Sequence, residues 1–238
     1  MSPDSRRALA SSSRANLDSL ERSNLFLLPL DERREWYRYH PLFADLLRAR
    51  LVAGRGQPAQ AKLHRRAAIW FESQGDLAKA ISHFLSAQDY SSAAHCIIQA
   101  APTNLSRGEL YTLLGWLRAL PDELLHAEAQ LCLFMAWALT LTAQIEQAEE
   151  YLSSVDALIE SSRANPVELY AGQAASVRSM IASLRYDTAG KIAWAEKSLL
   201  YLPQDDLARG VVGQILGGAY WQQGKVDAAE QALAEAAR

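Results

Sequence analysis

The sequence predicts an all-α fold: a right-handed solenoid of helical hairpins, preceded by a small segment with a β-hairpin. Three observations carry this. Half of the 238 residues are hydrophobic while glycine (12) and proline (8) are sparse, a composition that favours helix and can bury a substantial core. A pattern of small and large apolar residues recurs four times after residue 60. The first sixty residues break that pattern with two β-leaning runs around a charged turn.

The chain opens with a short helix expected over Ala15 to Arg22. LFLLPL and WYRYH follow, joined by Asp31-Glu32-Arg33-Arg34-Glu35, which reads as a hairpin. Pro41 then opens a helix, PLFADLLRARL, with Leu42, Leu46 and Leu47 on one face and arginines on the other. Helix, hairpin, helix is the back half of a winged-helix domain, here residues 1–53. Gly54-Arg55-Gly56-Gln57-Pro58 supplies a linker, residues 54–60, to a solenoid at 61–238.

Within the solenoid four segments answer each other: FESQGDLAKAISHFLSA (71–87), LTAQIEQAEEYLSSV (141–155), SLRYDTAGKIAWAEKSL (183–199) and YWQQGKVDAAEQALAEA (220–236). After a polar turn at Gly75, Ala143, Leu184 or Gly224 comes an apolar residue (Leu77, Ile145, Tyr186, Val226) and, three residues on, Ala80, Ala148, Ala189 or Ala229. Alanine at a helix crossing lets two backbones approach closely while larger neighbours fill the flanks. The preceding helices offer Ala68 with Phe71, Ala136 with Leu139, and Gly217 with Tyr220 at matching offsets. That small-then-large spacing is a tetratricopeptide signature. The turns lie 68, 41 and 40 residues apart, so the first gap holds one more hairpin, two helices over 90–120 separated at Pro102-Thr103-Asn104. Five hairpins result, at roughly 61–87, 90–120, 126–160, 166–202 and 205–238.

The net charge of −3 divides unevenly: residues 1–70 carry 13 Lys/Arg against 7 Asp/Glu, the remainder 11 against 20. The basic residues are interleaved with acids, so direct DNA binding is not expected of this chain. Cys96 and Cys132 stand alone, with neither a disulfide framework nor a zinc pattern, which fits a reducing cytoplasm. The longest apolar stretch, Leu131 to Ala143, is too short for a bilayer and suits a buried helix. No HExxH, GxSxG or GxxxxGK[ST] occurs; Gly190-Lys191 and Gly224-Lys225 are followed by Ile and Val and lack the earlier glycine. No enzyme is expected, and no metal site from His64, His83, His95 and His126, which are far apart in the repeat register. Trp70, Trp116, Trp137, Trp194 and Trp221 are expected in the core.

LDSLERSNLFLLPLDERREWYRYHPLFADLLRARL (17–51) with LHRRAAIWFESQGDLAKAISHFLSAQDYSSAA (63–94) closely resembles the MalT-like branch of LuxR-type transcription regulators. The resemblance covers essentially the whole chain, most strongly residues 17–98. It implies a signal-transduction ATPase with a P-loop domain, a winged helix, a tetratricopeptide-like sensor superhelix and a C-terminal helix-turn-helix. By that resemblance this chain is the middle of such a regulator, and ATP or ADP belongs to an upstream domain with no cofactor held here. A small-molecule inducer or a regulatory protein is implied on the solenoid, and multimerisation of the full-length protein. The other reading is a stand-alone tetratricopeptide scaffold that binds a protein.

In the wider class a winged-helix histidine reaches the nucleotide's phosphate, and the resemblance places it at His40, although members usually read His-His where this chain has His40-Pro41. From its residues alone, His40 is a helix-start histidine packed beside Trp36 and Tyr37. Arg34 and Arg38 carry the same two readings, facing an absent nucleotide domain or solvent.

Overall fold

A computed structural model describes residues 19–20, 26–33, 37–161, 163 and 165–236, apart from the side chains of 52 and 55. The chain forms two compact units that divide between Leu63 and His64.

In the first unit, strands β1 (Leu27–Pro29) and β2 (Tyr37–Tyr39) pair antiparallel, with Leu27 opposite Tyr39 and Pro29 opposite Tyr37. Each strand has only three residues, which suits a proline at the ladder's end where no N–H is needed. The helical run Pro41–Ser73 (α1) starts directly after β2. Of the helix expected over Ala15 to Arg22, only Ser19 and Leu20 are described, and both are helical. The glycine-rich stretch lies inside α1, which Gly56 interrupts with φ 74° and ψ 173°, a conformation open to glycine and followed by Pro58.

The second unit is helical: α2 (Leu77–Ser86), α3 (Tyr90–Ser106), α4 (Leu110–Arg118), α5 (Asp122–Ala127), α6 (Ala129–Leu141), α7 (Ile145–Glu160), α8 (Val167–Leu184), α9 (Thr188–Tyr201), α10 (Ala208–Gln222) and α11 (Val226–Ala236). Neighbours in sequence pack as hairpins, α6 on α7, α8 on α9 and α10 on α11. The first helices of successive hairpins also touch, α6 on α8 and α8 on α10, so the hairpins stack. The apolar stretch read as a buried helix is α6, covered on nearly all sides at the centre of the main core. Among the described residues no helix is long and apolar enough to cross a membrane.

One turn, found six times among the described residues, sets this stack. Gly75, Gln88, Gly108, Ala143, Tyr186 and Gly224 all have φ between 55° and 77°. In each case the next residue's N–H reaches back to the carbonyl five positions earlier: Asp76 to Phe71 (3.0 Å), Asp89 to Phe84 (2.9 Å), Glu109 to Asn104 (2.8 Å), Gln144 to Leu139 (2.8 Å), Asp187 to Ala182 (2.9 Å) and Lys225 to Tyr220 (3.0 Å). This closes the outgoing helix by satisfying a carbonyl that has no partner within it. The same residue then begins the next helix. The carboxylates of Asp76, Asp89 and Asp187 accept from the N–H of Lys79, Ser92 and Gly190, so one residue caps two helices.

That chemistry corrects the sequence reading in two places. Pro102 does not separate two helices: α3 runs through it to Ser106, and the break falls at Gly108, where positive φ is unstrained. In the fourth repeat the turn residue is Tyr186 and not Leu184, because Asp187 is the better N-cap. The register therefore moves by two. Ala189 and Ala193 are exposed, Ala195 is buried, and Lys191, only 6 % exposed, stands where Ala80, Ala148 and Ala229 stand in the other repeats. Gly190 lies in the cap itself, since a Cβ there would meet the Asp187 carboxylate at 2.2 Å.

Ala68, Ala136, Ala80, Ala148 and Ala229 are all buried, and Phe71 and Tyr220 pack half-buried against apolar clusters. On α10, a Cβ at Gly213 would fall 2.7 Å from Ala236 Cβ and one at Gly217 would fall 2.6 Å from Leu233 Cγ, which shows how closely α10 and α11 approach.

Two stability tests follow from the turn geometry. Ala143→Gly relieves a left-handed alanine and raises stability by about 1 kcal/mol, while Gly224→Ala lowers it by about as much, both read from urea midpoints. Ala229→Leu overpacks a crossing and costs about 1–3 kcal/mol. The same change at exposed Ala189 shifts stability by less than about 0.5 kcal/mol.

Candidate functional site

The described surface of the second unit holds a cleft of about 420 Å³. Its walls come from the end of α3 (Pro102, Leu105, Ser106), from α6 (Gln130, Leu133, Phe134, Trp137, Leu141) and from α8 (Gln173, Met180). The remainder is the start of α10 with the turn before it: Asp206, Leu207, Ala208 and Val211. These are first helices of stacked hairpins, together with α3, so the stack itself forms the groove. Its volume lies in the range of small-molecule sites, and most of its walls are apolar. Leu207, 78 % exposed, stands on its rim with Leu141 and Val211.

The polar end of the cleft is a small network. Gln173 Nε2 donates to Asp206 Oδ2 at 3.3 Å, and Asp206 Oδ1 accepts from the N–H of Ala208 at 2.8 Å, which anchors the start of α10. Gln173 Oε1 is buried without a hydrogen-bond partner. A neighbouring frame holds the walls in place. Arg209 spends its guanidinium on the carbonyls of Leu199 and Leu202, both at 2.9 Å, and on Glu235, thereby tying α9, α10 and α11 together. Arg178 does the same one hairpin earlier, gripping Asp156 on α7 and lying 5.1 Å over the ring of Trp194 on α9.

His40, in the first unit, makes backbone hydrogen bonds at both of its ends. Its N–H donates to Phe26 O at 2.7 Å, and its carbonyl accepts from Phe43 and Ala44 at the start of α1, both at 2.9 Å. The imidazole is exposed, tilted against Phe26 with ring centroids 6.3 Å apart. Tyr37 is half-buried and Arg38 exposed on β2, while Trp36 and Arg34 lie outside the described residues.

Other histidines behave differently from the sequence reading. His64 and His83, eleven residues before and eight after Gly75, meet across the first hairpin with their Nδ1 atoms 2.9 Å apart. Antiparallel pairing around a known turn would have revealed them. His83 also stacks on Phe71, their planes 9° apart, and burial first and His64 second push its pKa below the ordinary value. His95 bonds Gln99, and His126 bonds Ser154 while stacking on Tyr151. Among the described residues no group of three or more His, Cys, Asp or Glu side chains could hold a metal. Trp116 and Trp137 are half-buried against the main core, whereas Trp70 and Trp221 are exposed surface residues and not core. Burial pushes the Cys96 thiol up to about 11 and the Cys132 thiol up to about 12, so neither is a nucleophile at neutral pH.

The fold and its groove define a class: a chain of helical-hairpin repeats with an apolar cleft, preceded in sequence by a hairpin-and-helix unit. Residues 3–61 match the MalT winged helix domain. The chain is 30 % identical to the HTH-type transcriptional regulator MalT of Yersinia enterocolitica over 206 residues, 85 % of this chain and 22 % of that protein. It is 33 % identical to MalT of Yersinia pestis over 198 residues, 79 % of this chain and 21 % of the relative. The serine/threonine-protein kinase PknK of Mycobacterium tuberculosis is 38 % identical over 126 residues, 52 % of this chain and 11 % of the kinase. The chain is thus MalT-like, with that family's winged-helix domain. It spans about a fifth of the length of the MalT relatives and about a tenth of the kinase.

The histidine pair gives a pH test. A folded pKa below the ordinary value means that the unfolded chain takes up the proton first as pH falls through about 6.5, so this pair's contribution is present at neutral pH and lost on acidification. Urea midpoints at pH 7.5 and 5.5 will differ less in His83→Phe than in the unaltered chain.

Proposed function

We propose that the chain is the winged-helix and sensor portion of an ATP-dependent transcription regulator of MalT type. In this reading the helical stack binds an inducer or a regulatory protein and thereby controls an ATPase domain and a DNA-binding domain elsewhere in the protein, in the cytoplasm. The observation that carries it is the cleft formed by α3, α6, α8 and α10 in a chain that shares 79–85 % of its residues' span with MalT regulators. The kinase relative supports the same role from another direction. A stretch that recurs in a serine/threonine-protein kinase and in an HTH-type regulator is best understood as input and not output.

Binding would shift the regulator between resting and active states in proportion to the difference in affinity for the two. His40 would lie toward the nucleotide of the upstream domain, in keeping with an imidazole that is exposed and makes no hydrogen bond among the described residues. The stand-alone scaffold is the competing account.

The gene tests the architecture: a P-loop is expected upstream of Met1 and a helix-turn-helix downstream of Arg238, whereas stop codons bounding 1–238 on both sides favour the scaffold. For sensing, a thermal-shift screen of the purified chain against sugars and small metabolites should find a stabilising compound. At a hundred times its Kd a ligand adds about 2.7 kcal/mol. If no compound moves the transition, the occupant is a protein.

A further inference from the structure

We propose that the cleft takes an amphipathic cation, an aromatic or branched apolar body carrying a primary amine, with the amine at Asp206 and Gln173 and the body against Trp137, Leu133 and Met180. This rests on the sensor reading above and names the chemistry of its ligand.

The charge argument comes first. Among the described residues lining the cleft Asp206 is the one ionisable side chain, and it is half-buried. Its described partners are neutral donors, the Ala208 N–H and the Gln173 amide, and among the described residues no cation is paired with it. The nearest candidate in sequence, Arg209, is committed to two carbonyls and Glu235. A carboxylate without a counter-charge at the end of an apolar trough attracts a cation and repels an anion.

The hydrogen bonds supply a second argument. An ionised carboxylate only accepts, so the end of Gln173 that faces Asp206 is its NH2, and this fixes the amide's orientation. The amide oxygen is consequently the buried atom left without a donor. The Gln173–Asp206 bond is itself long at 3.3 Å. An ammonium entering between the two side chains, with the Gln173 amide turned so that its oxygen faces the newcomer, replaces one poor bond with charge-assisted bonds to both acceptors. One head group thereby meets both demands.

The walls decide the rest. A polyhydroxylated ligand would press hydroxyls against Leu133, Phe134 and Met180 without partners, which is costly. An aromatic or branched aliphatic body instead meets Trp137 and Met180, and the volume of about 420 Å³ accommodates a small amine.

Isothermal calorimetry on the full chain with tryptamine, tryptophol and indole-3-propionate, which share a ring and differ in head group, tests the assignment. Tryptamine is expected to bind at least tenfold more tightly than either analogue. Asp206→Asn, which can still accept from Ala208, should bring tryptamine within about twofold of tryptophol, and Trp137→Ala should weaken all three. Gln173→Leu, the second variant should Asp206→Asn fail to fold, should weaken tryptamine several-fold and leave tryptophol nearly unchanged. Equal binding of the three compounds, an amine preference that survives both variants, or no binding at all would overturn the proposal. Preferred binding of the alcohol or acid, lost in Trp137→Ala, would overturn the amine head while leaving the sensor reading intact. The sensor reading fails separately, if stop codons bound residues 1–238 on both sides and the stand-alone scaffold stands.

Discussion

The structure depends on a backbone hydrogen bond that spans a left-handed residue, made six times. In each turn a residue with positive φ reverses the chain, and the N–H that follows it closes the helix just ended. Where that following residue is aspartate, its carboxylate opens the next helix as well. Two helix ends, each with several unsatisfied groups, are thus joined through two or three residues with little left for water to satisfy. So short a connection leaves the two helices one arrangement, antiparallel and in contact. The small residues at the crossings then set how near they come.

The cleft is a consequence of this joinery. Hairpins held at fixed depth stack through their first helices, and these leave a trough along α3, α6, α8 and α10. Asp206 belongs to the turn that starts α10, so the residue that fixes that helix also puts a carboxylate at the end of the trough. Arg178 and Arg209 bridge adjacent helices behind it. The side chains that hold the helices together thus also form or flank the polar end of the cleft, whose geometry is set by the fold.

Much of the fold was legible in the sequence because its determinants are local. The turns at Gly75, Ala143 and Gly224, the hairpin at Asp31 and the buried helix over Leu131 each announce themselves through residue type or apolar run. The fourth repeat was misplaced because two principles competed. Alanine spacing pointed to Ala189, while capping by Asp187 placed Tyr186 in the left-handed region and brought Lys191 to the crossing. Propensity misled at Pro102, where the burial of Ala100, Ala101 and Asn104 carries α3 onward to Gly108. The cleft was not legible, since it joins residues more than a hundred positions apart, and nothing in a sequence marks Gln173 as an acceptor lacking a donor. The family likeness reached the class of protein from the sequence, but the groove needed the geometry.

Amide hydrogen exchange at the six turn residues that follow the left-handed positions, Asp76, Asp89, Glu109, Gln144, Asp187 and Lys225, tests this account most directly. If their N–H groups close the helices, they exchange at rates close to those of the flanking helical amides. Exchange at the rate of an exposed loop, with the adjoining helices still protected, would contradict it.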